Sequence, residues 1–544
     1  MFYKHRDLLF CENKKILQSM RPLRQRLWEI CIKNRNEELF VSLYPDRIRL
    51  KHLCEKITSA DEAAKLIKNG QTVGMSGFTR AGESKLVPMA LAERAKHEEL
   101  KITLITGASL GNEMDGLMAE SGLLSRRMPY QSDPVMRTAV NSGEVMYIDH
   151  HLSDTAEQLR SGSLPKINVA VIEACAITET GGIVPTTSTG NSASFVEQAE
   201  KVIIELNLAH PAALEGLHDI YIPSRRPNRE PIPLTTTQER IGTTFIPVDP
   251  ARIAAIVITD KEDSYSVVQP GDDETESIAD HLISFFEMEV ERGNLTTSLL
   301  PLQAGVGTIA NAVMSGLQKS HFSGLTMYSE VLQDSTFELI DTGKVVGASG
   351  CSFTMSESMC HHVMANLDRY KEKLVLRPQE ISNHPEIIRR LGTISINTAL
   401  EFDIYGNVNS THVGGTHMMN GLGGSGDFAR NAHLAIFVTK SIAKGGKISS
   451  AVPMVGHVDH TEHDVDIIVT EQGLADLRGL APRERALLII EKCVHPDYRP
   501  LLQKYFDRAC TLIGGQTPHI LEECFNFHIN LRKHGNMMDS GTIG

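Results

Sequence analysis

Short unbroken runs of Val, Ile, Leu and Ala recur along this chain, separated by stretches with helical periodicity. No other feature constrains the fold as much. Residues 101–106, 169–177, 201–205, 253–258, 325–329, 434–438 and 466–469 are too short for buried helices and do not alternate polar with apolar. Such runs predict parallel strands covered on both faces. Strands alternating with helices predict an α/β architecture. Two helices are clear: 59–68, opened by a Ser59 cap, and 276–293, where Ile278, Leu282, Phe285, Phe286 and Val290 recur at helical spacing before Gly293.

A chain of 544 residues is too long for one ordinary core, so two or more domains are expected. Residues 218–249 carry Pro223, Pro227, Pro231, Pro233 and Pro247 with the basic cluster Arg225, Arg226 and Arg229. That composition predicts a linker or long excursion between two halves. The boundary is placed near residue 240, giving an extension over 1–43 and α/β domains over 44–240 and 241–544. No short tandem repeat is visible. Both halves nevertheless hold buried strands and Gly-rich turns, which predicts two related open α/β domains with largely parallel sheets and an active site at their interface. The extension is basic around Arg21, Arg24 and Arg26 but also contains Asp7, Glu12, Glu29, Glu37 and Glu38. Transit peptides are usually poor in acids, and Met20 is an alternative start.

The net charge of −13 argues against broad binding to nucleic acid or anionic lipid. No apolar run reaches the roughly 18–20 residues that a membrane span needs. Nine scattered cysteines without a C-x-x-C pair point to a reducing compartment, with neither a disulfide framework nor a structural zinc site. The cytoplasm is the expected location, and the mitochondrial matrix the alternative because of residues 1–43.

Candidate chemistry concentrates in the second half. Gly305, Val306, Gly307, Thr308 and Ile309 precede a helical stretch, and glycines before a helix let backbone N–H groups approach an anion or a developing oxyanion. Tight packing is the other reading of that turn. Glu330 follows the strand predicted at 325–329, where open α/β sheets bind ligands. With apolar Val331 and Leu332 beside it, a solvated surface charge is a poor description; the alternative is a buried Glu paired with a basic residue. Gly421, Gly423 and Gly426 satisfy G-x-G-x-x-G, but the glycine-rich region extends well beyond a nucleotide fingerprint. It reads better as a nest of backbone amides beside a reacting group. His457, His460 and His463 recur every third residue, which allows metal binding, but a polar loop whose side chains satisfy one another is preferred. Cys351 and Cys360 lack a neighbouring His base, and there is no G-x-S-x-G elbow.

Taken together, Ser76-Gly77-Phe78-Thr79, 204–207, 305–311, 328–334, 376–390, 402–406, 420–428 and 469–479 resemble the acetyl-CoA hydrolase/transferase family. The likeness runs from about residue 58 to 540, closest to succinate CoA-transferases. It implies that Glu330 becomes a glutamyl-CoA thioester, with the Val306 and Gly424 amides as oxyanion hole. It further implies that Gly305 to Ile309, Asn420, Gly424 and Lys444 contact CoA, and that Asn383 and Glu471 are catalytic polar residues. Ser76, Gly77, Phe78 and Thr79 would hold the carboxylate substrate. No permanently bound cofactor or metal is expected, coenzyme A entering as substrate with small carboxylates, and a homodimer is implied. Hydrolysis of acyl-CoA in the same fold, and non-catalytic binding of CoA or a nucleotide, are the alternatives.

Overall fold

The computed structural model describes residues 44–267 and 269–538. Two parallel sheets organise them. The first holds Thr72–Met75, Ile102–Ile105, Leu124–Met128, Met146–Tyr147, Val169–Ala174, Lys201–Asn207 and Ile253–Thr259. The second holds Leu302–Ala304, Leu325–Tyr328, Val345–Gly350, Leu374–Leu376, Ile394–Thr398, Leu434–Val438 and Ile467–Thr470. Counted one to seven along the chain, the strands take the order 4-3-2-1-5-6-7 in both sheets. The second sheet adds the antiparallel edge strand Gly473–Asp476. One topology used twice is what the expected pair of related halves requires. In such sheets ligands bind beyond the carboxyl ends of the strands, where the order reverses. Here that point lies between strands one and five. Residues 76–79 follow strand one of the first sheet, and residues 305–309 follow strand one of the second.

The predicted run at 434–438 is found with the same bounds, while 169–177 divides at Cys175 into Val169–Ala174 and Ala176–Ile177. The long helix is Asp273–Glu291, starting earlier than expected because Asp272 caps it. The Asp272 carboxylate accepts from Thr275 N at 3.0 Å, and the Thr275 hydroxyl accepts from Asp272 N at 2.8 Å. The helix after Ser59 spans only Ala60–Ala64, because the chain then turns so that Gly70 N reaches Lys101 O at 2.7 Å.

The boundary expected at residue 240 is too early. Ile253–Thr259 pairs in parallel with Lys201–Asn207 and closes the first sheet. Nor is 218–249 a free linker. Asp219 N donates to Leu376 O at 2.8 Å, Leu376 N donates to Leu217 O at 2.9 Å, and Ile246 bridges back to Ile183. Proline fixes φ without preventing burial of its neighbours, and Ile232 and Leu234 pack with Tyr328, Ile381, Ile387, Ile388 and Phe428. The excursion thus backs the strand that leads to Glu330. The two halves are also joined backbone to backbone, through Thr189 N to Cys351 O and Phe353 N to Thr187 O, both at 2.9 Å. No helix among the described residues is long and apolar enough to cross a membrane.

One buried ion pair fastens the excursion. Arg377 is fully buried against Asp219, whose other oxygen accepts the amides of Ile241 at 2.9 Å and Gly242 at 2.6 Å. Removing one partner of such a pair leaves an uncompensated charge and costs about 3–5 kcal/mol. Asp219→Ala is therefore expected to lower the urea midpoint of the first unfolding transition. An unchanged midpoint would contradict this account of the excursion.

Candidate active site

Glu330 stands two residues beyond Leu325–Tyr328, a strand fixed by pairing with Leu302–Ala304 on one side and Val345–Gly350 on the other. Its carbonyl accepts from Cys351 N at 2.7 Å and Ser352 N at 3.1 Å, so its backbone is pinned. Its Oε1 accepts from Asn383 Nδ2 at 2.8 Å. Gly424 closes over it: a Cβ at position 424 would overlap both the Glu330 carboxylate and the Asn383 amide. The backbone there (φ −87°, ψ −4°) suits any residue, so the requirement for glycine is steric. The partner of Glu330 is an amide rather than the cation of the buried-pair alternative. Burial pushes its carboxyl up to about 7, against the Asn383 hydrogen bond.

The glycine-rich loop takes its shape from the first half of the chain. Met419 O accepts from Arg137 Nε at 2.5 Å, Asn420 O from the Tyr147 hydroxyl at 2.8 Å, and both Asp149 oxygens from Leu422 N at 2.9 Å. Two residues past Gly424 the chain is in a five-residue helix, Ser425–Ala429, too short for the dinucleotide-binding unit. On that helix Asp427 is buried. Its Oδ1 accepts from Ser153 Oγ at 2.6 Å, and its Oδ2 from Ser153 N at 3.0 Å and Asn383 Nδ2 at 3.4 Å. Burial pushes the Asp427 carboxyl up to about 8, opposed by Ser153 and assisted by Glu330. Asp149, Ser153 and Asp427 were not among the residues singled out from sequence. The first two lie some 270 positions from their partners, and only the fold brings them together.

Register places the second glycine loop beside Glu330. Leu302 pairs with Met327, and continuing that pairing sets Gly305 opposite Glu330; Gly305 O accepts from Gln333 Nε2 at 3.1 Å. Val306, Gly307, Thr308, Ile309, Asn420 and Lys444 then line one cavity of about 980 Å³. The helix Thr308–Lys319 begins there and offers its N-terminal amides. Lys440, in the same cavity, is paired with Asp272 and Glu274, and Lys444 lies outside that pair. A neighbouring cavity of about 1110 Å³ is lined by Glu276, Asp280, Asp334, Glu338 and Glu357, with Lys319. Its charge has the wrong sign for the phosphates of CoA.

Glu471 makes no contact with Glu330: its carboxylate accepts from Ser441 N at 2.8 Å, Ser441 Oγ and Gln472 Nε2 at 3.0 Å. It thereby supports the turn carrying Lys444. Burial opposes its ionisation, yet Ser441 and Gln472 hold it below the usual carboxylate range. Ser76 is buried and accepts from Glu173 N at 2.9 Å, so it braces the first sheet. Of its turn, Phe78 packs with Ala108, Leu152, Val331 and Cys351 into an apolar wall next to Glu330. Gly77 (φ 129°) and Thr79 (φ 47°) make the bend that puts it there. The three histidines diverge. His457 meets His412 and Asp459, His460 packs on Phe437, and His463 sits in a single turn. The closest set of potential metal ligands is Glu173, His210 and Asp263. The Lys85 ammonium already takes that place, 2.5 Å from Glu173 and 2.9 Å from Asp263.

Residues 45–258 match the acetyl-CoA hydrolase/transferase N-terminal domain, and residues 360–506 the C-terminal domain. The chain belongs to the acetyl-CoA hydrolase/transferase family. It is similar to a succinyl-CoA:acetate CoA-transferase of Clostridium kluyveri, 53% identical over 90% of this chain and 92% of that protein. It is also similar to an acetyl-CoA hydrolase of Candida glabrata, 45% identical over 91% of this chain and 97% of that protein. The fold is shared with RipA from Yersinia pestis, at a TM-score of 0.64 and 22% identity over 84% of this chain and 98% of that one. A family of transferases and hydrolases makes this chain an enzyme, and the two glycine loops and Glu330 are where its chemistry must be sought.

Two outcomes follow from the geometry. Gly424→Ala keeps the backbone N–H but sets a Cβ against the Glu330 carboxylate and the Asn383 amide, so it should lose roughly 10²-fold in turnover by displacing them, checked by kcat alongside circular dichroism. The pH dependence carries a sign. With Glu330 as the attacking group only its ionised form reacts, so kcat/KM should then rise through about pH 7. Asn383 stabilises the anion, so Asn383→Ala should move that limb to higher pH, read from the pH profile of kcat/KM.

Proposed function

We propose that this enzyme transfers coenzyme A from a short-chain acyl-CoA to a small carboxylate, such as acetate, propionate or succinate, through a thioester on Glu330. The observation that carries the reading is a desolvated carboxylate under the Gly424 backbone, hydrogen-bonded by an amide and not by a cation. The Glu330 carboxylate attacks the thioester carbonyl. The C–S bond breaks, CoA thiolate leaves, and a mixed anhydride forms. Thiolate then attacks the glutamyl carbonyl, releasing the donor's carboxylate and leaving glutamyl-CoA. An incoming carboxylate attacks the glutamyl carbonyl and expels thiolate. Thiolate finally attacks the acyl carbonyl, which forms the new acyl-CoA and restores Glu330. Every step passes through a tetrahedral oxyanion and none needs a proton donor, so backbone amides of Val306 and Gly424 suffice.

Transfer is favoured over hydrolysis by the apolar wall of Phe78, Ala108, Leu152, Val331 and Cys351, which excludes water from the carbonyl. The relatives named as hydrolases make hydrolysis the second reading. Intact-protein mass measured after mixing with acetyl-CoA should show a CoA-sized increment that borohydride removes and that Glu330→Ala lacks. No increment in the wild-type protein would overturn the covalent mechanism. Loss of acetyl-CoA should accelerate on adding propionate or succinate; a rate indifferent to acceptor would favour the hydrolase.

A further inference from the structure

We infer that Asp427 is a positioning residue for Glu330, acting through the side-chain amide of Asn383. The inference rests on Glu330 as the group that takes up CoA. Asn383 has one side-chain nitrogen, and two carboxyl groups share it: Glu330 Oε1 at 2.8 Å and Asp427 Oδ2 at 3.4 Å. Its carbonyl oxygen accepts from Ser382 Oγ at 3.1 Å. With an acid on each side of the nitrogen, turning the amide over would take its N–H donor from both and leave its oxygen facing Glu330. A single acid would resist that flip less, and the nucleophile would lose its orienting donor more often.

Asp427 is fixed in turn. Ser153 donates to both of its oxygens, from Oγ at 2.6 Å and N at 3.0 Å, which sets the plane of the carboxyl group. Ser153 belongs to the first half, directly before the helix Asp154–Ser161. The chain from first half to nucleophile is therefore Ser153, Asp427, Asn383, Glu330. Asp427 does not touch the reacting atoms and does not line the cavity that carries Lys444. Its loss should therefore reduce turnover without weakening the hold on CoA. A carboxyl buried this close to Glu330 is pushed toward its protonated form, so a neutral isostere should serve nearly as well.

The test is the rate of CoA attachment to Glu330 in the full-length enzyme, followed by intact mass, together with steady-state kcat and KM for acetyl-CoA. Asp427→Ala should lose about tenfold to a hundredfold in kcat, the scale of misplacing a reacting group by about 1 Å, with KM within about twofold. Asp427→Asn, which keeps an acceptor toward Asn383, should recover most of that loss. In an Asn383→Ala background, Asp427→Ala should cost about twofold or less, because contacts in one network are not additive. A fold-support role predicts the opposite, the same loss with or without Asn383. Should Asp427→Ala not fold, Ser153→Ala is put through the same cycle and should show a smaller loss that also vanishes without Asn383. Additive losses, or wild-type kcat in Asp427→Ala, would overturn the inference. If the wild-type enzyme forms the adduct and Asp427→Ala matches it, this inference alone fails; if the wild-type enzyme forms none, the glutamyl-CoA reading fails first.

Discussion

Glu330 is a carboxylate kept from water with an amide for a partner and no cation, and the rest of the site is arranged around that condition. A cation at about 4 Å, at an effective dielectric of 20, would favour its anion by about 4 kcal/mol, roughly three pK units. That would produce a stable, unreactive ion pair. Among the described residues the buried cations are committed elsewhere: Arg47 to the carbonyls of Cys175 and His210, Lys85 to Glu173 and Asp263, Arg127 to Asp115, Arg160 to Glu380, Arg377 to Asp219. The uncommitted charge is placed instead in the cavity that holds Lys444, where phosphates would need it. Positive charge is thus placed at one end of the site and withheld from Glu330 at the other.

Two copies of one strand order meet here, but they contribute unequally. The second half supplies Glu330, Asn383, Val306 and Gly424. The first half supplies surfaces that hold these in place: Tyr147 and Asp149 on the glycine loop, Ser153 on Asp427, Phe78 on Val331 and Cys351. Its own equivalent region is filled by buried charge, with Glu83, Lys85, Glu173 and Asp263 packed together. Burial pushes the Glu83 carboxyl up to about 8, against Lys85. One half carries Glu330 and the glycine loops, and the other holds them in place.

What could be read from the chain follows what is local. Seven apolar runs became strands because burial on both faces leaves a contiguous apolar signature, and the Ser59 cap was visible because its partner is three residues away. Glu330 was legible as a strand-end acid, and the glycine loops as places of close approach. The proline-rich stretch 218–249 allows a linker or a long excursion, and proline content alone does not separate the two; it is the excursion, because Ile232, Leu234 and Asp219 bury it against the second sheet. Glu471 and Ser76 were placed in the site by resemblance, which reports that a residue belongs to a constellation without saying at what remove. Ser153 and Asp149 left no local signal, since their partners lie some 270 residues on.

The glycine-rich loop shows how a familiar pattern can arise from a different cause. In a dinucleotide fold the glycines admit a pyrophosphate at the start of a long helix. Here each answers to a protein neighbour. A side chain at Gly421 would meet the Tyr147 hydroxyl and Tyr130, one at Gly424 the Glu330 carboxylate, and one at Gly426 the His151 ring. Gly423, with φ at 61°, adopts the left-handed conformation that lets the loop turn between them. Gly421, Gly424 and Gly426 therefore mark three close approaches on a surface moulded against both halves of the chain. Only the middle one lies over Glu330; the flanking two seat the loop on Tyr147, Tyr130 and His151 of the first half, and a pattern of glycines that answers to side chains in this way carries no nucleotide signature.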